Sequence, residues 1–281
     1  MRKYIIDKIL TMMNRDAGVN RMITLGIDIG STTSKCVLMK DGAEILAYSL
    51  RIGGLGTEGP EEALAELWSR TECTPDQVDR TIVTGYGRNK YEGADGEVSE
   101  LTCHALGGRF IFPELRTLID IGGQDAKIIS LNESGRMSNF VMNDKCAAGT
   151  GRFLDVMANI LRMDIDDLDE CASKSEKPAS ISSTCTVFAE SEVISQLANG
   201  VARPDLVAGI CESVASRVSA LARRAGVVPQ VCMSGGVAKN SAVRNALAKS
   251  LGVEIDFDPM AQYFGAIGAA LYGYRQLMKN K

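Results

Sequence analysis

Histidine is almost missing from this chain: among 281 residues there is one, His104. A zinc site of mixed cysteine and histidine ligands therefore has little to be built from, and none of the eight cysteines (36, 73, 103, 146, 171, 185, 211 and 232) forms a Cys-x-x-Cys pair. His104 itself reads as a packed or capping residue of a helix over Ser99–Phe110. Long apolar runs are also absent, so no segment reads as a membrane span. The opening residues MRKYIIDKILTMMNRDAGVN are basic and partly apolar, but Asp7 and Lys8 interrupt them, unlike a secretory signal. Residues 1–21 are assigned no function, and a cytoplasmic setting is expected, in which disulfides are disfavoured and most thiols are small buried hydrophobes. Excess charge is the third absence. With 31 Lys and Arg against 35 Asp and Glu, the net charge of -4 gives no electrostatic reason to expect nucleic acid or an anionic membrane as a partner.

Glycine is plentiful, at 28 residues, which suits tight turns close to a ligand. The most informative of these turns form a repeat. Ile27-Asp28-Ile29-Gly30-Ser31-Thr32-Thr33-Ser34-Lys35 aligns with Ile119-Asp120-Ile121-Gly122-Gly123-Gln124-Asp125-Ala126-Lys127. In each copy an apolar strand leads into a small-residue turn and a second strand, Cys36–Met39 or Ile128–Leu131. A further turn follows, Asp41-Gly42 or Ser134-Gly135, and then a third strand-like run. Turns rich in Gly, Ser and Thr present N–H and hydroxyl groups to phosphate oxygens. An aspartate at a strand end can hold Mg²⁺ directly or through water, and Lys35 can offset phosphate charge. Two such turns facing each other would clamp a triphosphate. One alone would read as an ordinary β-turn. A third glycine turn, Ser234-Gly235-Gly236, follows the strand-like Val231–Met233 and precedes a helix over Ser241–Ser250; by itself it is a weak nucleotide signal.

Two cysteines precede helices. Cys146 sits in Asn143–Gly151 (NDKCAAGTG), ahead of Phe153, Leu154, Met157, Ile160 and Leu161 at helical spacing. Cys185 sits in Ser182–Thr186 (SSTCT), ahead of a helix with Phe188, Ile194 and Leu197 among its apolar residues and Gly200 as its stop. Helix N-termini favour thiolates and anionic clusters. A cubane iron–sulfur cluster takes four thiolates, which a symmetric dimer of a two-cysteine chain would supply. Spacing alone favours two small residues that cap helices, and a redox or nucleophilic thiol is a third possibility.

The three glycine turns together resemble the actin, sugar-kinase and heat-shock-70 ATPase superfamily. That resemblance implies an α/β fold of two ribonuclease-H-like domains with a nucleotide cleft between them. The expected domains are residues 23–115, joined by a C-terminal helix from about 262 to 281, and 116–261, with residues 1–22 as an extension. ATP or ADP would contact Ser31, Thr32, Thr33, Ser34 and Lys35, and Gly122, Gly123 and Gln124. Asp28 and Asp120 would organise Mg²⁺ and the attacking water, with Asp125 a lesser candidate. Gly235, Gly236 and Gln262 would lie at the adenosine.

Asn143–Asp155 (NDKCAAGTGRFLD) and Ser182–Ser195 (SSTCTVFAESEVIS), with Thr84–Arg88 (TGYGR), Ile119–Lys127 and Ser234–Asn240, narrow the resemblance further. They are similar to the activators of 2-hydroxyacyl-CoA dehydratases, over nearly the whole chain from about Thr24 to about Tyr274. This implies a homodimer with one [4Fe-4S] cluster held by Cys146 and Cys185 of each copy. It also implies one-electron transfer driven by ATP from reduced ferredoxin or flavodoxin to the dehydratase, in an anaerobic cytoplasm. Glu190 near the cluster and Arg88 in the TGYGR turn are secondary candidates. The rival readings are the ATPase module of a benzoyl-CoA-type reductase, a small-molecule kinase of the same superfamily, and a nucleotide-dependent chaperone or sensor without iron. The particular acyl-CoA is not legible in the sequence.

Overall fold

A computed structural model describes residues 21–182 and 185–280; the extension before Arg21, and Ser183 and Thr184 of the second cysteine segment, lie outside the described residues. The first sheet contains β1 (Ile23–Ile29), β2 (Thr33–Lys40), β3 (Glu44–Ile52), β4 (Arg80–Thr84) and β5 (Gly96–Glu97). The second contains β6 (Thr117–Ile121), β7 (Ala126–Leu131), β8 (Met137–Asn143), β9 (Val231–Ser234) and β10 (Ile255–Asp256). Their orders are β3-β2-β1-β4-β5 and β8-β7-β6-β9-β10. In each, the first three strands are antiparallel and the last two run parallel to the first. The two sheets thus have one topology.

The repeat reaches residue level. Asp28 lies opposite Lys35 in the β1–β2 ladder, and Asp120 lies opposite Lys127 in β6–β7. Each second strand also carries an irregularity ten residues past its aspartate, at Leu38/Met39 and at Ser130/Leu131. Bulges of this kind re-aim a strand and raise its twist.

The helices are α1 (Gly59–Ser69), α2 (Glu100–Ile111), α3 (Gly151–Leu161), α4 (Leu168–Ser173), α5 (Thr186–Ala198), α6 (Arg203–Ala225), α7 (Ser241–Leu251) and α8 (Phe264–Lys279). Helix α1 packs on β2 and β3, and α6 packs on β7, β8 and α7. Between the halves run α2 and α8, which pack against each other, with α8 also on β1, β4 and β2. Glycine makes this approach possible: a Cβ at Gly268 would meet Cys103 O at 1.8 Å, and one at Gly26 would meet Ala266 O at 1.9 Å. One core joins the second sheet to α8 and to Val37 and Met39 of β2, and a smaller one lies under α1. Helix α3 buries Phe153, Leu154, Met157 and Leu161, as its spacing predicts. Helix α5 forms where its pattern places it, but it is less buried than α3. Phe188 and Ile194 are 69% and 50% exposed, and the helix buries only Ala189 and Val193. Periodicity locates an apolar face but does not say what covers it. Among the described residues, no helix is long and apolar enough to cross a membrane.

Candidate nucleotide cleft and cysteine sites

Both repeat turns open on one cavity of about 690 Å³. Asp28, Ser31, Thr32, Thr33 and Lys35 line it from the first half, and Asp120, Gly122, Gly123, Gln124 and Asp125 from the second, with Gly235, Gly236 and Gln262 at a further wall. The turns share a hydrogen-bond pattern: Gly30 N–H donates to Thr33 O at 3.0 Å, and Gly122 N–H to Asp125 O at 2.9 Å. They also approach closely, since a Cβ on Gly123 would fall 2.5 Å from Thr32 Oγ1. Ser34 is the exception to the expected phosphate contacts. It is buried and its hydroxyl donates to Gly53 O at 2.7 Å, away from the cavity. Successive β residues face opposite sides, so Thr33 and Lys35 reach the cleft and Ser34 does not.

Lysine and aspartate pair identically in the two copies. Lys35 Nζ is 3.3 Å from Asp28 Oδ2, and Lys127 Nζ is 3.3 Å from Asp120 Oδ2. The surroundings then diverge. Asp120 Oδ1 accepts from Ser234 Oγ at 2.7 Å and lies 3.3 Å from His104 Nδ1, while Lys127 also pairs with Asp125 at 2.8 Å and Glu100 at 3.8 Å. Burial opposes ionisation of Asp120, but His104 and Lys127 outweigh it and hold the carboxyl far below its usual range. Burial likewise opposes the charged form of Lys127, yet Asp120, Glu100 and Asp125 keep it firmly protonated. Burial pushes Glu100 up against the pull of Lys127.

His104 is packed in its helix, as expected, and it also lines the cleft beside Asp120. Sequence reading missed this role, and those of Lys127, Glu100 and Ser234. Lys127 stood opposite Lys35 in the repeat, and Glu100 and His104 are four apart on one helical face, which are the signals that point to them.

Four cysteines, Cys36, Cys103, Cys211 and Cys232, are buried. Burial pushes the first three thiols up to about 12. Cys146 and Cys185 are exposed. Cys185 occupies the N-cap position of α5. Cys146 lies in a turn before α3, where its N–H donates to Asn143 Oδ1 at 3.2 Å and its carbonyl accepts from Asn143 Nδ2 at 2.8 Å. The helices that follow the two cysteines pack together. Helix α3 is tied to the second Asp-x-Gly turn: Gly151 N–H donates to Gly122 O and Arg152 N–H to Gly123 O, both at 2.8 Å. A separate cavity of about 320 Å³ adjoins Cys146, between Met142 and the Arg217 and Arg224 side chains of α6. Arg88 Nη1 donates to Gly85 O at 2.9 Å, within its own turn. Glu190 is half-buried on α5.

Twin sheets of this topology, with paired Asp-x-Gly turns across a cleft, define an ATPase of the actin, sugar-kinase and heat-shock-70 fold. A glucokinase of the ROK family from Streptomyces griseus, solved with glucose and AMPPNP, shares that fold at a TM-score of 0.53 over 90% of this chain and 99% of its own, with 15% identity. The chain belongs to the BadF/BadG/BcrA/BcrD ATPase family, whose model matches residues 25–273. The (R)-2-hydroxyglutaryl-CoA dehydratase activating ATPase of Acidaminococcus fermentans is 58% identical over 257 residues, spanning 91% of this chain and 98% of the relative. The activator of the 2-hydroxyisocaproyl-CoA dehydratase from Clostridium difficile, solved with bound ADPNP, superposes at a TM-score of 0.90 with 51% identity, over 92% of this chain and 97% of its own.

Proposed function

We propose that this ATPase is a homodimeric, ATP-driven one-electron activator of a 2-hydroxyacyl-CoA dehydratase. The observation that carries the coupling is the pair of hydrogen bonds from the start of α3 to the carbonyls of Gly122 and Gly123. A shift of the second phosphate turn moves α3, and with it the turn that carries Cys146. Asp144 and Lys145 line the nucleotide cavity, while the next residue lines the cavity at Cys146, so the two sites are adjacent in the chain. Nucleotide drives such a shift only insofar as it binds the open and closed cleft with different affinity.

The donor set fits an iron–sulfur cluster shared by two copies. Cys146 and Cys185 are exposed, and the helices after them pack together. Among the described residues, no group of three or more His, Cys, Asp or Glu is placed to hold a metal ion within one chain. A second copy would bring the thiols to four. Val187 and Phe188, exposed beside Cys185, supply apolar surface for that contact. When bound, a [4Fe-4S] cluster supplies a one-electron couple, fed by reduced ferredoxin or flavodoxin and passed to the dehydratase in an anaerobic cytoplasm. Cys146 and Cys185 hold it, and the N-termini of α3 and α5 favour its negative charge. In the cleft, Asp28 and Asp120 flank the place for Mg²⁺ and the attacking water. Lys35, Ser31, Thr32, Thr33 and the turn of Gly122, Gly123 and Gln124 meet the phosphates, and Gly235, Gly236 and Gln262 the adenosine.

The test is anaerobic and coupled. With ATP and reduced ferredoxin, the full chain should switch on dehydration of a 2-hydroxyacyl-CoA by its dehydratase. A Cys146→Ala chain should keep hydrolysing ATP and lose that activation. Activation only of a benzoyl-CoA-type reductase would move the chain to that role. ATP turnover that rises with a sugar or organic acid, and transfers phosphate to it, would make the chain a kinase.

A further inference from the structure

His104 joins the two aspartates of the repeat. Its Nδ1 stands 3.3 Å from Asp120 Oδ1 but makes no well-directed hydrogen bond there. On the other edge of the ring, Nε2 and Asp28 Oδ2 converge on Gly265: a Cβ at that position would fall 2.9 Å from the first and 2.7 Å from the second. The His104 side chain is about nine-tenths buried and lines the nucleotide cavity. It is carried by α2, which packs on α8, and α8 packs in turn on β1, the strand of Asp28. Asp120 lies on β6 of the other sheet. The ring is thus placed between the catalytic aspartate candidates of the two halves.

The charged groups around it divide the labour. Glu100 on its own helix, Asp28 and Lys35 on β1 and β2, Asp120 and Lys127 on β6 and β7, and Asp125 in the turn between those strands line the same cavity. Lys127 holds Asp120 Oδ2, and Ser234 holds one side of Oδ1. The remaining side of Oδ1 faces His104 Nδ1.

We infer that His104 is a positioning residue for ATP hydrolysis, with Nδ1–H fixing the plane of the Asp120 carboxylate and the ring setting its separation from Asp28. Hydrogen bonds in catalytic sites are commonly long without substrate and tighten in the bound complex. A small closure of the cleft would complete the 3.3 Å contact, so the Asp120 carboxylate reaches its working orientation only when both halves have closed on nucleotide. Such outer partners are worth about 10–100-fold in activity where they orient a group acting on the reacting centre.

The inference rests on ATP hydrolysis in this cleft, so the experiment first establishes that turnover in the anaerobically purified full chain. Three variants are then compared, His104→Ala, His104→Asn and His104→Gln. Asparagine places an amide donor near Nδ1, and glutamine places one near Nε2. The expected result for His104→Ala is a kcat about 30-fold down, within the range above, with KM for ATP and affinity for ADP within about threefold. His104→Asn should recover most of the lost kcat, and His104→Gln little of it. Thermal melting with ADP checks that each variant is folded. If His104→Ala fails to fold, the asparagine-to-glutamine ratio of kcat decides. A His104→Ala kcat within twofold of the parent overturns the inference, as do equal kcat values for asparagine and glutamine, or a loss confined to KM. Absence of ATP turnover in the parent chain would instead sink the reading of the cleft itself.

Discussion

Asp120 accepts from Ser234, pairs with Lys127 and faces His104, whereas its counterpart Asp28 pairs with Lys35. This asymmetry has a pH signature. The folded value of Asp120 is depressed, so its charge contributes stability that is present above the ordinary value near 3.8 and is lost as pH falls toward the folded value. Asp120→Asn should therefore cost about 3 kcal/mol near pH 7, as breaking a buried pair does, and the gap to the parent should narrow below about pH 4. Denaturant titrations of the nucleotide-free chain across that range check it; a gap independent of pH contradicts it. The thiols give a second test. At pH 8 a thiol raised to about 12 is ionised in roughly one molecule in ten thousand, so Cys36, Cys103 and Cys211 should resist iodoacetamide in the folded chain while the exposed Cys146 and Cys185 are modified. Peptide mapping by mass spectrometry reads this, and Cys211 labelled as fast as Cys146 would contradict it. At this scale the strand-end aspartates were legible in the sequence because each ends an apolar strand before a small-residue turn. Ser34 was misplaced because composition ignores the alternation of a strand. His104 was legible as a packed helix residue, but its place beside Asp120 was not, because that partner lies on a strand of the other sheet.

Among the elements, the glycine turns and the helices after Cys146 and Cys185 carry the proposed function. Gly235 has φ +83°, and a Cβ there would sit 2.2 Å from Ile121 O, so backbone rather than a yielding side chain blocks it. Gly235→Ala should cost about 2 kcal/mol or more and weaken nucleotide binding at the same time. A melt with and without ADP checks both, and an unchanged melting temperature would show that the turn tolerates a side chain. The α5 helix was predicted at its observed place, with Gly200 beyond it at φ +83°. Two of its apolar residues are exposed, Val187 at 65% and Phe188 at 69%. Replacing Phe188 by Asp should leave the fold intact and shift the chain from dimer toward monomer in light scattering. A variant that remains as dimeric as the parent would place the contact elsewhere.

For the molecule as a whole, the repeat foretold more than a pair of turns. Two sheets of one topology follow from it, down to the offset of their irregularities. What it did not foretell is the junction. Helices α2 and α8 run between the sheets, and the bonds from α3 to Gly122 and Gly123 link the nucleotide turn to Cys146. Those contacts join segments far apart in sequence or depend on backbone geometry, so no local pattern announces them. On the proposed reading, this junction couples ATP in the cleft to an electron carrier held between two copies. Native mass spectrometry of the anaerobically purified full chain, with iron and sulfide assays on the same sample, tests it most directly. The expected result is a dimer holding four irons and four sulfides per two chains, and iron-free protein for Cys146→Ala. A monomer that holds a full four-iron cluster, an iron-free parent chain, or a Cys146→Ala chain that keeps its cluster would contradict it.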